Sequence, residues 1–440
     1  MEFLSIKEAD NERVWTEKEN FLKLSFTGNP GLKNNLNVNS KAIDYLYMFL
    51  NDTILGTIVD MTNASANNFI NNLNENLEKI EWNSLTISEL KNFLGLILHM
   101  GNIVLPSTQD YWKSDDLYDF PVFRNTMSRL RFNTILRFLT FSNESDSDDR
   151  LGKVRYLSNH FNKIMEEQYY PSRELCIDES MMGFKGRLLF RQFIKNKKHK
   201  FGVKFYVLTE PNGLILKHRI YDGTKIEFDG SSSATESIVL DLMKSYLSKG
   251  HSLYMDNFYN SIKLSERLLE FATYSTGTLR SNRKLNPREV VDAKLKKGEI
   301  ISRYSYNVGI TKWRDTKEVT VISTEFNGDV LNLKNRWGKN IRKPTSIHSY
   351  NQNMGGIDRM DQMISYYTNL RKTSRWHMKV NFRLIEMIIH NSHILYTTQT
   401  SKKIPLREFR EEIIRDLIKK ETPPTQRNKE KTLISLSFKI

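Results

Sequence analysis

Leu-Cys-Ile-Asp-Glu-Ser (175–180) is a short apolar run that ends in acidic residues, as buried strands often do at the edge of a sheet. The same arrangement returns in Ser-Leu-Tyr-Met-Asp-Asn (252–257). A further aspartate follows a glycine pair in Met-Gly-Gly-Ile-Asp-Arg-Met-Asp (354–361), where the pattern predicts a helix with another aspartate one turn later on the same face. The candidate catalytic residues are therefore Asp178, Asp256, Asp358 and Asp361.

Carboxylates brought together from two strand ends and a helix suit divalent metal ions, because hard cations prefer oxygen ligands. Two ions ~3.5–4 Å apart stabilise the attacking and the leaving oxygen of a phosphodiester. The predicted cofactor is two Mg²⁺ or Mn²⁺ ions, with Asp178, Asp256 and Asp358 as ligands. Spacing alone also fits ordinary surface aspartates at strand ends, and both interpretations stay open at this level.

The charge distribution predicts a polyanionic partner. The 440 residues have a formal net charge of +15, with −6 over residues 1–170 and +21 over residues 171–440. The three aspartates thus lie inside the basic part of the chain. A basic field around acidic residues suits phosphates that approach metal-bound carboxylates, so nucleic acid is the predicted partner. The alternative is a solvated basic surface without a partner.

Composition narrows the class of protein. A hydrophobic content of 39% is enough for a sizeable core. No apolar run approaches the ~18–20 residues of a membrane-spanning helix, and the first ten residues lack the apolar core of a signal peptide. Cys176 is the single cysteine, which excludes disulfides and a cysteine-rich zinc module within these residues. We expect a soluble, intracellular protein without a membrane partner, a small-molecule substrate or zinc.

Hydrophobic periodicity predicts a helical first part and an α/β second part. Helices are predicted at 42–54, 86–100 (with Ser88 and Glu89 as its start), 123–141, 157–169, 234–246, 260–270, 351–367, 378–396 and 405–420. Strands are predicted at 174–179, 200–208, 214–221, 251–255, 274–279, 300–308, 311–313 and 319–324. Strands that alternate with helices indicate an α/β layer with a mixed sheet.

Five sequence blocks occur in the order known from one family. They are Ile-Asp-Glu-Ser-Met-Met-Gly-Phe-Lys-Gly-Arg (177–187), Lys-Phe-Gly-Val-Lys (200–204), Met-Asp-Asn-Phe-Tyr-Asn-Ser-Ile-Lys-Leu (255–264), Met-Gly-Gly-Ile-Asp-Arg-Met-Asp-Gln-Met (354–363) and Arg-Lys-Thr-Ser-Arg-Trp-His-Met (371–378). Together with Phe-Thr-Gly-Asn-Pro-Gly-Leu (26–32), Tyr-Trp (111–112) and Met-Ser-Arg-Leu-Arg-Phe (127–132), they resemble the piggyBac transposase family from about residue 22 to residue 400.

The resemblance implies an α/β fold with an RNase H-like catalytic core and a mixed sheet. A β-rich insertion would interrupt this core, and a mostly helical dimerisation and DNA-binding unit would flank it. The implied segments are a disordered N-terminus (1–21), the first helical region (22–172), the first part of the core (173–280), the insertion (281–350), the last core helix with the third aspartate (351–370), the second helical region (371–420) and a tail (421–440).

The resemblance also implies an activity, which is cut-and-paste DNA transposition. Asp178, Asp256 and Asp358 match the family's metal ligands, and Asp361 is an accessory carboxylate on the same helix. The reaction would comprise nicking, hairpin formation at transposon ends and joining at TTAA targets. The implied partners are double-stranded DNA and a second copy of the chain, and the implied location is the nucleus.

Two basic clusters are candidate DNA contacts. The first follows Asp178 and comprises Lys185, Arg187, Arg191, Lys195, Lys197, Lys198 and Lys200. The second surrounds a possible base-stacking platform and comprises Arg371, Lys372, Arg375, Trp376 and Lys379. The alternatives are a plain solvated turn for the first cluster and core packing for the tryptophan.

One departure from the family pattern leaves a second function open. Complete members end in a Cys- and His-rich zinc module that recognises terminal repeats, whereas no cysteine follows Cys176 here. The alternative to an active transposase is therefore a domesticated DNA-binding or chromatin protein without a catalytic role.

Overall fold

A computed structural model describes residues 13–18, 21–72, 81–142, 149–195, 197, 199–224, 233–334, 338, 340–369 and 373–418. Its strands are β1 (Gly31–Leu32), β2 (Ser114–Asp115), β3 (Tyr118–Asp119), β4 (Tyr169–Tyr170), β5 (Glu174–Gly183), β6 (Gln192–Phe193), β7 (Phe201–Thr209), β8 (Ile215–Ile220), β9 (Ser252–Met255), β10 (Tyr274–Thr278), β11 (Ile300–Ser305), β12 (Val308–Arg314), β13 (Glu318–Ser323), β14 (Val330–Lys334) and β15 (Asn340–Pro344).

The helices are α1 (Ala42–Tyr47), α2 (Asp52–Asn71), α3 (Ile87–Asn102), α4 (Pro121–Thr126), α5 (Arg129–Phe138), α6 (Gly152–Gln168), α7 (Ala234–Met243), α8 (Ile262–Glu270), α9 (Arg288–Val291), α10 (Thr345–Asn353), α11 (Gly356–Tyr366), α12 (Trp376–Thr400) and α13 (Leu406–Leu417), with a 3₁₀ turn at Thr108–Trp112. Of the sequence-based predictions, Lys198, Arg371, Lys372, residues 1–12 and the tail from 421 lie outside the described residues.

The chain divides into two compact units, each built from separated segments. The sheet unit contains the described parts of residues 1–34, 165–181 and 192–361. The helical unit contains the described parts of residues 35–164, 182–191 and 362–440.

The sheet unit is organised around a nine-stranded mixed sheet. Its strand order is β11-β12-β13-β10-β9-β5-β7-β6, and β8 pairs with β7. The pairs β5–β9 and β9–β10 are parallel, while β10–β13, β12–β13 and β11–β12 are antiparallel. The prediction of an α/β fold with a mixed sheet is confirmed.

The described residues of the strand-rich stretch 281–350 form five strands. Three of them, β11 to β13, extend the main sheet, and β14 and β15 form a separate hairpin. The predicted strand 300–308 is in fact two strands, because Tyr306 and Asn307 have φ values of 46° and 64° and form the turn between β11 and β12. An apolar cluster of Ile262, Leu279, Val290, Val308, Ile310 and Ile322 packs beneath this part of the sheet.

In the helical unit, helices from both ends of the sequence pack together. Helix α12 is buried around most of its surface, and polar side chains such as Glu386 are buried together with its apolar ones. Its Ser392 hydroxyl donates to the carbonyl oxygens of Tyr45 (3.1 Å) and Ile388 (2.9 Å). Near the other end of the chain, α13 packs against α3.

Capping residues explain where the predicted helices differ from the observed ones. The predicted helix 42–54 is two helices, because Asn51 begins α2 by accepting a hydrogen bond from the backbone N–H of Ile54. The predicted helix 123–141 is also two helices, since Ser128 caps α5 in the same way. The proposed start at Ser88 is wrong, because Thr86 caps α3 through the N–H of Glu89 (3.2 Å).

Within the part of the chain that the structure describes, every helix is too short or too polar to cross a membrane.

Candidate active site

The first two aspartates follow neighbouring positions on parallel strands. Ile177 of β5 pairs with Met255 of β9, so Asp178 and Asp256 are the next residue on each strand. β9 ends at Met255, whereas β5 continues to Gly183, so Asp178 lies within β5 at the level where β9 ends and Asp256 follows. The parallel register alone accounts for this juxtaposition.

The turn after β9 fixes the second aspartate. The Oδ1 atom of Asp256 accepts a hydrogen bond from the backbone N–H of Phe258 (2.8 Å). The buried amide of Asn260 donates to the carbonyl oxygens of Met255 (2.8 Å) and Thr278 (3.0 Å), and so joins this turn to the end of β10. A backbone N–H therefore orients the Asp256 carboxylate. The side-chain oxygen of an asparagine at position 256 would accept the same hydrogen bond.

The third aspartate reaches the same strands through a close glycine contact. Gly356 begins α11, and a Cβ atom there would lie 2.3 Å from Thr209 Oγ1, 2.4 Å from the Glu210 carbonyl oxygen and 2.7 Å from Cys176 Sγ. Only glycine lets this helix start so close to β5 and β7. Asp358 lies in the first turn of α11, directly after this contact.

The fourth aspartate is tied to β5. The hydroxyl of Ser180, which is 1% exposed, donates to Asp361 Oδ1 at 2.6 Å.

The predicted helix 351–367 is two helices, α10 and α11, with the break before Gly356. The break lets α11 approach the strands independently of α10.

The pKa values of the first two aspartates are both raised. Burial raises the pKa of Asp178 to about 7; the Lys197 ammonium opposes this shift, while the carboxylates of Glu179 and Asp256 add to it. Burial also raises the pKa of Asp256, and the Glu179 carboxylate contributes. Two partly buried carboxylates of like charge at one sheet edge create a strong demand for a cation.

Two tyrosines border this site, and sequence patterns did not identify them. Burial raises the pKa of the Tyr350 phenol to about 12, and the charges of Asp256, Asp178 and Asp358 contribute. Tyr350 therefore lies within electrostatic reach of all three aspartates. The Tyr259 hydroxyl donates to Glu179 Oε2 at 3.5 Å. Neither residue stands at a recognisable strand end, which is why spacing did not single them out.

A buried lysine lies near the same acids. The Lys204 ammonium is 4.3 Å from the ring centre of Tyr206, 5.2 Å from that of Phe258 and 5.6 Å from that of Tyr221. Burial lowers its pKa, and the Glu179 carboxylate opposes that shift. The aromatic rings stabilise the cation in place of solvent. The block Lys-Phe-Gly-Val-Lys contains this residue, but the pattern did not indicate its surroundings.

The four aspartates provide some, but not all, of the oxygen ligands expected around a divalent cation. Asp178 and Asp256 supply two neighbouring oxygen donors at a charged, partly desolvated edge. Within the described residues, no group of three or more His, Cys, Asp or Glu side chains is arranged to hold a metal ion. The assignment of Asp358 as a third ligand stays a prediction.

The first basic cluster is divided between the two units. Lys185, Arg187 and Arg191 are exposed in the helical unit, and Arg191 Nη1 donates to the carbonyl oxygens of Lys185 (2.9 Å) and Gly186 (3.1 Å). Lys195 and Lys200 are exposed in the sheet unit, where Lys197 Nζ donates to the Glu179 carbonyl oxygen at 2.8 Å. DNA contact by the members of this cluster stays a prediction.

The described members of the second basic cluster, Arg375, Trp376 and Lys379, are partly buried. The Arg375 guanidinium donates to the carbonyl oxygens of Leu136 (2.7 Å) and Arg137 (2.9 Å) at the end of α5. Trp376 begins α12, is half-buried and meets Phe190 edge to face, with ring centres 5.3 Å apart. Burial lowers the pKa of Lys379. Arg375 thus stabilises a helix end, and a DNA role for it stays a prediction.

Known proteins share both the sequence and the fold. A family model described as Transposase IS4 matches residues 41–393. The human PiggyBac transposable element-derived protein 3 is 28% identical over 393 residues, which are 84% of this chain and 64% of that protein. The chain belongs to the piggyBac transposase family. The resemblance that the sequence blocks predict is confirmed.

A second curated relative and a solved structure also match this piggyBac-family chain. The human PiggyBac transposable element-derived protein 2 is 23% identical over 408 residues, with 88% of this chain and 67% of the relative covered. A piggyBac transposase in a cryo-EM structure of a synaptic complex with hairpin DNA matches with a TM-score of 0.76 at 24% identity, over 89% of this chain and 82% of that chain. The latter comparison establishes the fold. The chain spans 64% of the length of the first relative.

The perturbed aspartate makes the stability of the metal-free piggyBac-family protein dependent on pH. The pKa of Asp178 is about 7 when folded and about 4 in an unfolded chain. A raised carboxyl pKa stabilises the fold below the unfolded value, and this stabilisation is lost as pH rises through the folded value. In the presence of a chelator, we expect the free energy of unfolding to fall between pH 4 and pH 7. Asp178→Asn should flatten this part of a urea-unfolding pH series, and an equally steep decline in the variant would contradict the assignment.

Proposed function

We propose that this piggyBac-family chain is a DNA transposase in which Asp178, Asp256 and Asp358 form the catalytic centre for phosphodiester cleavage and joining. The observation that carries the proposal is the shared edge of β5 and β9, where two perturbed aspartates follow paired residues. The glycine contact of α11 brings the helix of the third aspartate to the same strands.

The proposed reaction needs no covalent intermediate with the protein. A water oxygen attacks phosphorus, the bond from phosphorus to the 3′ oxygen breaks, and that oxygen leaves as a 3′ hydroxyl. In hairpin formation and in target joining, a 3′ hydroxyl is the attacking group instead. When bound by the three aspartates, Mg²⁺ or Mn²⁺ would supply charge neutralisation for the attacking and leaving oxygens.

The chain's own residues bind and orient the substrate in this proposal. Exposed lysines and arginines on both units supply phosphate-neutralising charge. Ser180 holds the Asp361 carboxylate against β5. Double-stranded DNA with TTAA targets, a homodimer that pairs two transposon ends, and a nuclear location belong to the same proposal.

The proposal is tested by incubating the purified full chain with labelled DNA that carries the element's terminal sequence beside TTAA. With Mg²⁺ or Mn²⁺ we expect a 3′-hydroxyl nick followed by a hairpin product on a denaturing gel. Binding of DNA with a steep salt dependence, but without any cleavage in either metal, would reject the catalytic proposal.

A second candidate function is DNA binding without catalysis. The observation that favours it is the absence, within the described residues, of a three-acid group arranged for metal. The same cleavage assay decides between the two, because both functions predict DNA binding and only one predicts metal-dependent products.

The half-buried tryptophan at the start of α12 gives a prediction about individual reaction steps. If Trp376 supports a distorted DNA end, Trp376→Ala should slow hairpin formation about tenfold or more, because stacking on one base contributes ~1–3 kcal/mol. The nick should be less affected. Trp376→Phe keeps an aromatic ring and serves as the matched control.

Thermal melting separates this role from simple packing. Loss of the edge-to-face contact with Phe190 costs ~0.5–1.5 kcal/mol, whereas loss of a fully buried tryptophan costs ~3–5 kcal/mol. A stable alanine variant with normal nicking and normal hairpins would remove Trp376 from the DNA site.

A further inference from the structure

The hairpin of β6 and β7 carries two aromatic side chains that are exposed at the surface of the sheet unit. Phe193 is 56% exposed and Phe201 is 44% exposed. By contrast, Phe205, four residues further along the same face of β7, is 1% exposed. Exposing two large apolar rings to water is unfavourable, so a surface of this kind points to a ligand.

Strand register holds the two rings beside each other. Phe193 and Phe201 are directly paired across β6 and β7, and their ring centres lie 4.8 Å apart with an angle of 45° between the planes. The N–H of Ile194 donates to the carbonyl oxygen of Lys200 at 2.9 Å in the next pair. The phenylalanines therefore occupy a position between hydrogen-bonded pairs, where opposed side chains approach most closely.

The charge around the rings suits a polyanion. Lys195 and Lys200 are exposed on the same hairpin. Lys197 ties the hairpin to β5 by its hydrogen bond to the Glu179 carbonyl oxygen, one residue after Asp178. The aromatic pair thus lies on a basic hairpin that is attached to the strand of the candidate active site.

We propose that Phe193 and Phe201 form a stacking platform for an unpaired DNA base, with Lys195 and Lys200 neutralising the flanking phosphates. This inference rests on the proposed function. Bases within a duplex already stack on each other, whereas an unpaired base presents a free face. The platform would therefore bind DNA ends that are opened or folded into hairpins, and every base type would suit it.

The test compares single-stranded, hairpin and blunt duplex oligonucleotides of equal length by fluorescence anisotropy with the full chain. Phe193→Ala and Phe201→Ala should each weaken single-strand binding about five- to a hundredfold. Duplex affinity should change less than about twofold, and the salt dependence should keep its slope. Lys195→Ala and Lys200→Ala should each reduce that slope by about 0.7 for single strands.

Two controls accompany these variants. Phe193→Trp keeps a stacking surface and should retain single-strand binding. Tyr306→Asn removes an aromatic side chain that is 59% exposed in the β11–β12 turn, and asparagine suits the positive φ there. This second control should leave all three affinities unchanged.

Several outcomes would overturn the inference. One is that both phenylalanine variants bind single-stranded DNA as tightly as the parent does. This result would reject the stacking platform and leave the proposed function intact. An equal loss of affinity for duplex and single-stranded DNA would show that the rings contribute to general folding. A change in sedimentation mass without any change in DNA affinity would assign them to a contact between copies. A parent protein that binds none of the DNA probes would reject both proposals.

Discussion

Asp178→Asn and Asp256→Asn are each expected to reduce metal-dependent DNA nicking at least about a thousandfold, equal to about 4 kcal/mol of activation free energy. Each asparagine keeps the size and the hydrogen-bonding oxygen of the side chain but loses the charge that binds a cation. The expected loss is large because both residues stand at the one edge where β5 and β9 meet.

The measurement is single-turnover nicking with saturating protein, so that a change in DNA affinity does not enter the rate. Both variants should fold normally, and Asp178→Asn should unfold at higher temperature than the parent in chelator, because it removes a carboxylate that burial disfavours. Asp315→Asn is the matched control, since its side chain is 47% exposed in the same unit. A nicking rate within tenfold of the parent for either active-site variant would refute the assignment.

Much of the sheet unit follows from the sequence. The strand before Asp256 was predictable because its apolar run ends there, whereas β5 continues four residues beyond the predicted end at Glu179. Helix ends were less predictable. The periodic pattern continues through residues 48–50, and only the side-chain cap of Asn51 shows that a new helix begins. Apolar periodicity records which face is buried, not where the backbone breaks.

The candidate site was predictable only where its chemistry lies at the end of an element. The parallel register of β5 and β9 follows from no local pattern, and it places Asp178 beside Asp256. Tyr350 and Lys204 contribute to the site through contacts between distant segments, so spacing could not reveal them. Arg375 makes a contact that its basic motif did not indicate, since its guanidinium donates to two backbone carbonyls. Its DNA contact stays a prediction.

The second large effect is expected at a buried polar network in the helical unit. Glu386 on α12 accepts hydrogen bonds at Oε1 from the Thr368 hydroxyl (3.0 Å) and the Asn369 N–H (2.5 Å). Arg410 on α13 donates to Asn369 Oδ1 (3.2 Å), Asn102 Oδ1 (2.7 Å) and the Leu98 carbonyl oxygen (2.9 Å). Asn369 thus connects the carboxylate to the guanidinium, and both charged groups are buried.

Arg410→Met is expected to lower the free energy of unfolding by about 3–5 kcal/mol, because it leaves buried acceptors at Leu98, Asn102 and Asn369 without this donor and removes one of the two arginine charges near the Glu386 carboxylate. The methionine keeps most of the side-chain volume, so a cavity does not explain the loss. Urea unfolding of the full chain at pH 7 measures the effect. The exposed Arg415→Met on the same helix is the matched control and should change stability by less than about 0.5 kcal/mol.

The double variant Glu386→Gln with Arg410→Met identifies the cause. Burial raises the pKa of Glu386, and the nearby arginines Arg383 and Arg410 oppose this shift. Removing both the carboxylate charge and the Arg410 charge should therefore recover at least about 1 kcal/mol relative to Arg410→Met alone. If the double variant instead loses the sum of the two single losses in unfolding free energy, the hydrogen bonds of Arg410 to α3 account for most of its contribution to stability. Recovery of stability would mean that the buried charges themselves hold the segment at Thr368 and Asn369 against the helices of this unit. This segment leads towards Trp376.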